Sequence, residues 1–135
     1  MEEKTGSQIV DAIRRKVDRE GALHCASAFK IAEEAGVMPL RVGETADTLG
    51  IKLNRCQLGL FGYGPKVEGL HKIVEPAETV GEDLAQAIRD RLEDGRLTCR
   101  AAWDVAAALR IPKMDVSAAA ETLGIKIVRC QIGAF

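Results

Sequence analysis

The chain has 135 residues, a net charge of −1 and 47% hydrophobic residues, few of them aromatic. This composition excludes global disorder, and it provides no overall basic surplus for binding a phosphate backbone. No apolar run approaches the ~20 residues that a membrane-spanning helix requires, and the acidic, polar start is unlike a secretory signal. A cytoplasmic location is therefore predicted, in which the four cysteines remain reduced thiols.

The chain contains an internal repeat at a spacing of 74 residues. Residues 48–61 read TLGIKLNRCQLGLF and residues 122–135 read TLGIKIVRCQIGAF, with ten of fourteen letters identical. Weaker similarity extends upstream of both stretches. Two copies are too few for a solenoid, so a duplicated small domain with an approximate internal twofold axis is predicted. The predicted parts are a first unit at 1–61, a linker that includes a strand at 62–80, and a second unit at 81–135.

Each unit is predicted to contain three helices and one strand. The first helix has apolar residues at a spacing of four and a cap at Ser7 or Thr5. The second helix starts near Cys25, and the third has Pro39 in its first turn. Residues 50–59, GIKLNRCQLG, alternate in polarity and include a β-branched residue, which predicts a strand. The predicted core positions of the first unit are Ile9, Ile13, Val17, Ala28, Phe29, Ala32, Val42, Ala46 and Leu49.

The second and third helices resemble the helix-turn-helix family in its winged form. The family has a small residue in the first helix of the pair, a glycine at the turn and an aliphatic residue six positions later. Ala32, Gly36 and Val42 match this pattern. The second unit has Arg110 at the glycine position, which departs from the pattern because a left-handed backbone is costly without glycine. The resemblance implies a mainly α fold with short β: two repeated trihelical helix-turn-helix units, each followed by a wing-like strand. The ending LGIKI..CQLG also resembles a small module found beside molybdenum-cofactor proteins.

The resemblance implies a non-enzymatic, DNA-binding transcriptional regulator, because a helix-turn-helix places its last helix in the major groove of duplex DNA. The predicted nucleic-acid contacts are the cations of the third helices and of the strands after them: Arg41, Lys52, Arg55, Lys113, Lys126 and Arg129. Both third helices carry more acidic than basic residues, which opposes binding to phosphates. Two alternatives stay open: a protein–protein interaction module built on the duplicated surface, and a thiol or metal sensor.

The cysteines recur as two pairs, each separated by thirty residues, and form no CxxC spacing. They are predicted to be small buried apolar groups, with Cys56 close to Cys25 and Cys130 close to Cys99 in the core of their own unit. The alternative is that all four are thiolate ligands of a metal. No cofactor is predicted. No catalytic grouping of residues is found, so the chain is not predicted to be an enzyme.

The last predicted strand, 125–132, needs a pairing partner because buried backbone groups must be hydrogen-bonded. The predicted partner is the strand at 51–58 or the linker strand near 72–74. Pairing with a second chain is the alternative.

Overall fold

Apolar side chains at helical spacing, interrupted by short polar turns, give this chain a mainly helical fold with few and short strands. The computed structural model describes residues 2–64 and 69–135, with side chains from Thr5 onward. The first half consists of α1 (Glu2–Lys16), β1 (Leu23–His24), α2 (Cys25–Ala35), α3 (Pro39–Thr48) and β2 (Leu53–Asn54). The second half consists of α4 (Glu82–Arg89), β3 (Leu97–Thr98), α5 (Cys99–Leu109), α6 (Lys113–Leu123) and β4 (Ile127–Val128).

The turns that follow α2 and α5 have the same backbone geometry. Gly36 ends α2 with φ 68° and ψ 35°, and Arg110 ends α5 with φ 56° and ψ 45°. Arg110 therefore adopts the left-handed conformation that the glycine provides in the first half, at a cost of about 1 kcal/mol. The first helix differs from prediction, because α1 begins at Glu2, before the predicted caps at Ser7 and Thr5.

The strands that follow α3 and α6 pair with the strands that precede α2 and α5. β2 runs parallel to β1, with Leu23 opposite Leu53, and β4 runs parallel to β3, with Leu97 opposite Ile127. The predicted pairing of 125–132 with the first-half strand or with the linker is therefore wrong. Both sheets in the described residues have two parallel strands, so neither contains the antiparallel hairpin of a wing.

The predicted long strands are reduced to two residues each by a change of backbone direction. Arg55 follows β2 with φ 49°, and Arg129 follows β4 with φ 52°. A left-handed residue ends an extended segment, so the chain turns away from the sheet at this point. In the linker, residues 69–80 form no strand, and residues 65–68 lie outside the described residues.

Two apolar cores are formed, and each receives side chains from the other half. The first core is built by α1, α2 and α3, and it also includes Ile132 and, in partly buried contact, Cys130. The second core is built by α4, α5 and α6, and it also includes Cys56 and Leu58. We name residues 56–61 and 130–135 the exchanged loops, because each packs into the core of the opposite half.

The two exchanged loops have the same internal hydrogen bonds. The Gly59 N–H donates to the Cys56 carbonyl at 2.9 Å, and the Cys56 N–H donates to the Phe61 carbonyl at 3.2 Å. In the loop at 130–135 the two equivalent bonds are both 3.0 Å long. The repeated sequence thus closes into a compact loop twice.

Aromatic rings at equivalent sequence positions meet between the halves. The ring centroids of Phe29 and Trp103 are 4.2 Å apart. Those of Phe61 and Phe135, from the two exchanged loops, are 5.9 Å apart in an edge-to-face arrangement. Aromatic residues at equivalent sequence positions therefore contact each other between the halves.

Candidate functional site

The predicted DNA-contacting cations occupy two kinds of position. Those that flank the short strands are all solvent-exposed: Lys52, Arg55, Lys126 and Arg129. The two on the third helices are partly buried. Of these, Lys113 places its Nζ 4.5 Å from the centroid of the Trp103 ring, a cation–π geometry. The Arg129 guanidinium lies 3.9 Å from a carboxylate oxygen of Glu93.

The outward surface of α3 is apolar at one end and acidic at the other. We name this surface the α3 face; it consists of Met38, Leu40, Glu44, Asp47 and Thr48. Met38 is 66% exposed and Leu40 is 46% exposed, and these two exposed apolar side chains lie close in sequence at the start of the helix. Glu44, Asp47 and Thr48 are exposed on the following turns.

The corresponding surface of α6 is contacted by residues 69–80 of the linker, which we name the spacer. The Ala77 N–H donates to the Ala118 carbonyl at 3.1 Å, and the Thr122 hydroxyl donates to the Ala77 carbonyl. Lys72 forms an ion pair with Glu121 on the same helix. A segment of the chain itself is therefore already bound on the side of α6 that is equivalent to the α3 face.

Grooves of different size lie between each third helix and the exchanged loop that packs on it. The groove beside α6 has a volume of about 940 Å³ and that beside α3 about 510 Å³. The Ser117 Oγ and His71 Nδ1 atoms are buried beside the larger groove without a hydrogen-bond partner among the described residues. At the position equivalent to Ser117, the first half has Gly43, where an added Cβ would lie 1.8 Å from the Ile132 carbonyl oxygen. The missing side chain lets this loop approach α3 closely.

The two loop cysteines do not face the core of their own unit as predicted, but each is close enough to its predicted partner to add to the effect of burial in raising that thiol's pKa, Cys56 that of Cys25 and Cys130 that of Cys99. Cys56 is buried in the second core, which also contains Cys99, whereas Cys25 belongs to the first core. Cys130 is only partly buried and packs against the first core. The prediction that each thiol faces the core of its own unit is therefore wrong for both loop cysteines, because the loops are exchanged. All four thiols are free.

Burial disfavours the thiolate form of Cys25, Cys56 and Cys99. It raises the pKa of Cys25 to about 11, even though the Gln57 side chain donates to its sulfur. Burial likewise raises the pKa of Cys56 and of Cys99. A protonated thiol is a weak nucleophile and a weak metal ligand. In the described part of the chain, no group of three or more histidine, cysteine or acidic side chains is arranged to hold a metal ion.

Asp18 is the centre of a polar cluster that sequence reasoning missed. Its carboxylate accepts hydrogen bonds from the backbone N–H groups of Glu20 (2.9 Å) and Ala22 (3.0 Å). It also accepts one from the Asn54 amide (3.1 Å), and it lies 3.1 Å from His24 Nε2. These bonds, led by the one from Ala22, lower the pKa of Asp18 to about 2. An aspartate three residues before a glycine is typical of a turn and could have indicated this role.

The helices and the comparisons add no further constraint on function. Among the described residues, none of the helices combines the length and apolar character that crossing a membrane requires. No protein-family model matches the chain, and neither a curated protein nor a solved structure is similar to it. Inference about function therefore depends on the surfaces described above.

Proposed function

We propose that this chain is a non-enzymatic protein-interaction module made of two helix-turn-helix units, with the α3 face as its contact surface. The observation that supports it is the exposure of Met38 and Leu40, at 66% and 46%, beside the exposed carboxylates of Glu44 and Asp47. An apolar patch with a polar rim is typical of a protein contact. Carboxylates at the same place repel DNA phosphates.

The equivalent helix of the second half, α6, supports the same proposal. DNA recognition requires a helix surface that can enter the major groove. On α6, Glu121 and Thr122 are engaged by the spacer, and Lys113 faces the Trp103 ring. The described side of α6 is thus occupied by protein, which favours protein over DNA as the ligand of the equivalent surface.

The proposed duplication also accounts for the contacts between aromatic rings of the two halves. If an approximate twofold axis relates the units, residues near that axis must meet their own equivalents. The contacts of Phe29 with Trp103 and of Phe61 with Phe135 have this property. An experimental structure in which residues 7–61 and 81–135 do not superpose would contradict the duplication.

The test of the interaction proposal uses two variants of the full chain. A partner captured by chemical cross-linking and identified by mass spectrometry is purified, and its affinity is measured by calorimetry. The double variant Met38→Glu/Leu40→Glu should abolish this binding. The matched control is Leu109→Glu, because Leu109 is also exposed but lies at the end of α5, in the other half of the chain. Equal loss in both variants, or in neither, contradicts the proposal.

DNA binding is the second candidate, and one observation favours it. Four exposed cations, Lys52, Arg55, Lys126 and Arg129, occupy equivalent positions in the two halves. If they bind phosphates, replacing all four with alanine should flatten the dependence of log K on log salt by about one unit for each phosphate that is no longer neutralised. Titration of random duplex DNA at two salt concentrations measures this slope. Absence of binding at low salt would exclude this candidate.

A further inference from the structure

The spacer binds α6 through the backbone of one of its residues. The Ala77 N–H donates to the Ala118 carbonyl, and the Ala77 carbonyl accepts from the Thr122 hydroxyl. Both groups of α6 lie one turn apart, so together they bind the N–H and the carbonyl of a single residue. We name these two hydrogen bonds the clamp. Both involve only backbone atoms of Ala77, so the clamp does not depend on the side chain of the residue that it binds.

Three spacer residues upstream of Ala77 make further contacts with α6 and with the exchanged loop at 56–61. The N–H groups of Ile73 and Val74 lie 2.9 and 3.1 Å from the Gly59 carbonyl oxygen in the exchanged loop. The Lys72 ammonium pairs with Glu121, and Val74 is only 7% exposed. The α6 surface therefore holds a cation, two aliphatic residues and, three positions further, a clamped backbone.

The α3 face and its exchanged loop present the same groups without the spacer. The equivalent positions are Glu44 and Ala118, Asp47 and Glu121, Thr48 and Thr122, and Gly133 and Gly59. The Thr48 hydroxyl donates to the Glu44 carbonyl at 3.0 Å, as the Thr122 hydroxyl also does to the Ala118 carbonyl. Glu44, Asp47, Thr48 and Gly133 are all solvent-exposed. The hydroxyl, the two carbonyls and the carboxylate that bind the spacer thus recur on the first half.

We infer that the α3 face binds a segment of a partner protein in the conformation of the spacer, in which a lysine or arginine precedes two aliphatic residues and a clamped residue three positions later. The cation pairs with Asp47, the aliphatic N–H groups donate to the Gly133 carbonyl, and Thr48 and Glu44 clamp the backbone. This inference rests on the proposed interaction function and adds the chemistry of the partner.

Charge and burial favour a partner protein over the spacer of a second copy. Asp47 complements the single cation of such a segment, as Glu121 complements Lys72. Lys52 lines the groove beside α3, but Lys126 has the same place in the groove beside α6, where the spacer binds nonetheless. The spacer of a second copy would have to leave its own site and expose the buried Val74. A free segment incurs no such cost.

The probe is a synthetic peptide of residues 70–80, LHKIVEPAETV, titrated into the ¹⁵N-labelled full chain. We expect saturable amide shifts at Asp47, Thr48 and Gly133. Thr48→Val removes the clamping hydroxyl at nearly constant size and should weaken binding about fivefold, and Asp47→Lys should weaken it at least as much. The matched control is Glu33→Lys, which reverses an exposed acid on α2 and should leave the affinity unchanged.

Two altered peptides test the chemistry separately. Replacing the peptide lysine with glutamate should weaken binding, and N-methylation of its alanine should also do so because the clamped N–H is removed. Shifts confined to α6 would mean that the peptide only exchanges with the spacer, and this would overturn the inference, as would no shift at millimolar peptide. A concentration-dependent dimer that the peptide dissociates would identify a second copy as the occupant and would also overturn it. If a partner protein binds only when Met38 and Leu40 are present but the peptide does not bind, the proposed interaction function stands and only this inference is wrong.

Discussion

Replacing Leu58 with alanine tests whether the exchanged loop of the first half completes the core of the second half. Leu58 is 0% exposed and clusters with Ile88, Val105 and Val116. Truncating a buried leucine costs about 2–5 kcal/mol because a cavity remains where the side chain packed. With a cost of about 3 kcal/mol and an unfolding entropy of roughly 0.28 kcal/mol/K for this chain length, Tm should fall by roughly 10 °C.

A double-mutant cycle locates the core in which Leu58 acts. Val42 and Val116 occupy equivalent positions in the two halves, and both are 0% exposed. Leu58→Ala combined with Val116→Ala should depart from additivity by about 0.5 kcal/mol or more, because both side chains line one cluster. Combined with Val42→Ala, it should be additive within about 0.5 kcal/mol. Urea unfolding followed by circular dichroism gives all the required free energies.

Ile132→Ala provides the reciprocal cycle. Ile132 is 1% exposed and belongs to the first core, so it should couple to Val42 and not to Val116. If Leu58 couples to Val42 and is additive with Val116, the loop packs on its own half and the exchange is refuted.

Three further predictions concern single residues. Arg110→Gly should stabilise the chain by about 1 kcal/mol in urea unfolding, since Arg110 is left-handed; a loss of stability would contradict this. Gly43→Ala should destabilise the chain because its Cβ would clash with the Ile132 carbonyl. This clash costs about 1–3 kcal/mol, which outweighs the gain in helix propensity of roughly 1 kcal/mol or less. Gly6→Ala is the control and should not destabilise the chain, because the space around Gly6 is open. Since folding lowers the pKa of Asp18 from 3.8 to about 2, its ionisation stabilises the fold above pH 4, and that contribution is lost as the pH falls toward 2. Asp18→Asn should therefore lose less stability than the natural chain between pH 4 and 2, and identical pH profiles would contradict this assignment.

The helices could be predicted from sequence because their determinants are local. The apolar spacing within α2 and α3, Pro39 in the first turn of α3 and Gly36 after α2 all act over a few residues. The strands could not be predicted as well, because a single left-handed residue, Arg55 or Arg129, shortens each of them. Arginine gives no local indication that it will adopt this conformation. The parallel pairing joins segments about thirty residues apart, which alternation along one segment cannot specify.

The exchange of loops is hidden from the sequence for a different reason. Leu58 and Ile132 are similar in size and polarity, and they follow the same turn sequence. A loop that fits one core would therefore fit the other, so residue type cannot show whether a loop packs on its own half or on the opposite half. The candidate site was missed for the same reason. Lys72 and Ala77 have no special pattern, and only the folded spacer brings them to Glu121 and Thr122.

The exchange gives a physical reason for repeating the loop sequence, cysteine included. Each core is completed by the loop of the opposite half. If the halves were separate chains, the docking of each loop would depend on the concentration of the other chain. In one chain, the loop is present at an effective concentration of about millimolar. Both loops fill equivalent places and must keep the same shape. In the first loop, the buried Cys56 sulfur accepts the Leu58 N–H at 3.4 Å, and burial keeps this thiol protonated. A small apolar group with a weak acceptor suits that place better than serine, whose hydroxyl would need a partner in the core. The cysteine is therefore explained by packing rather than by reactivity.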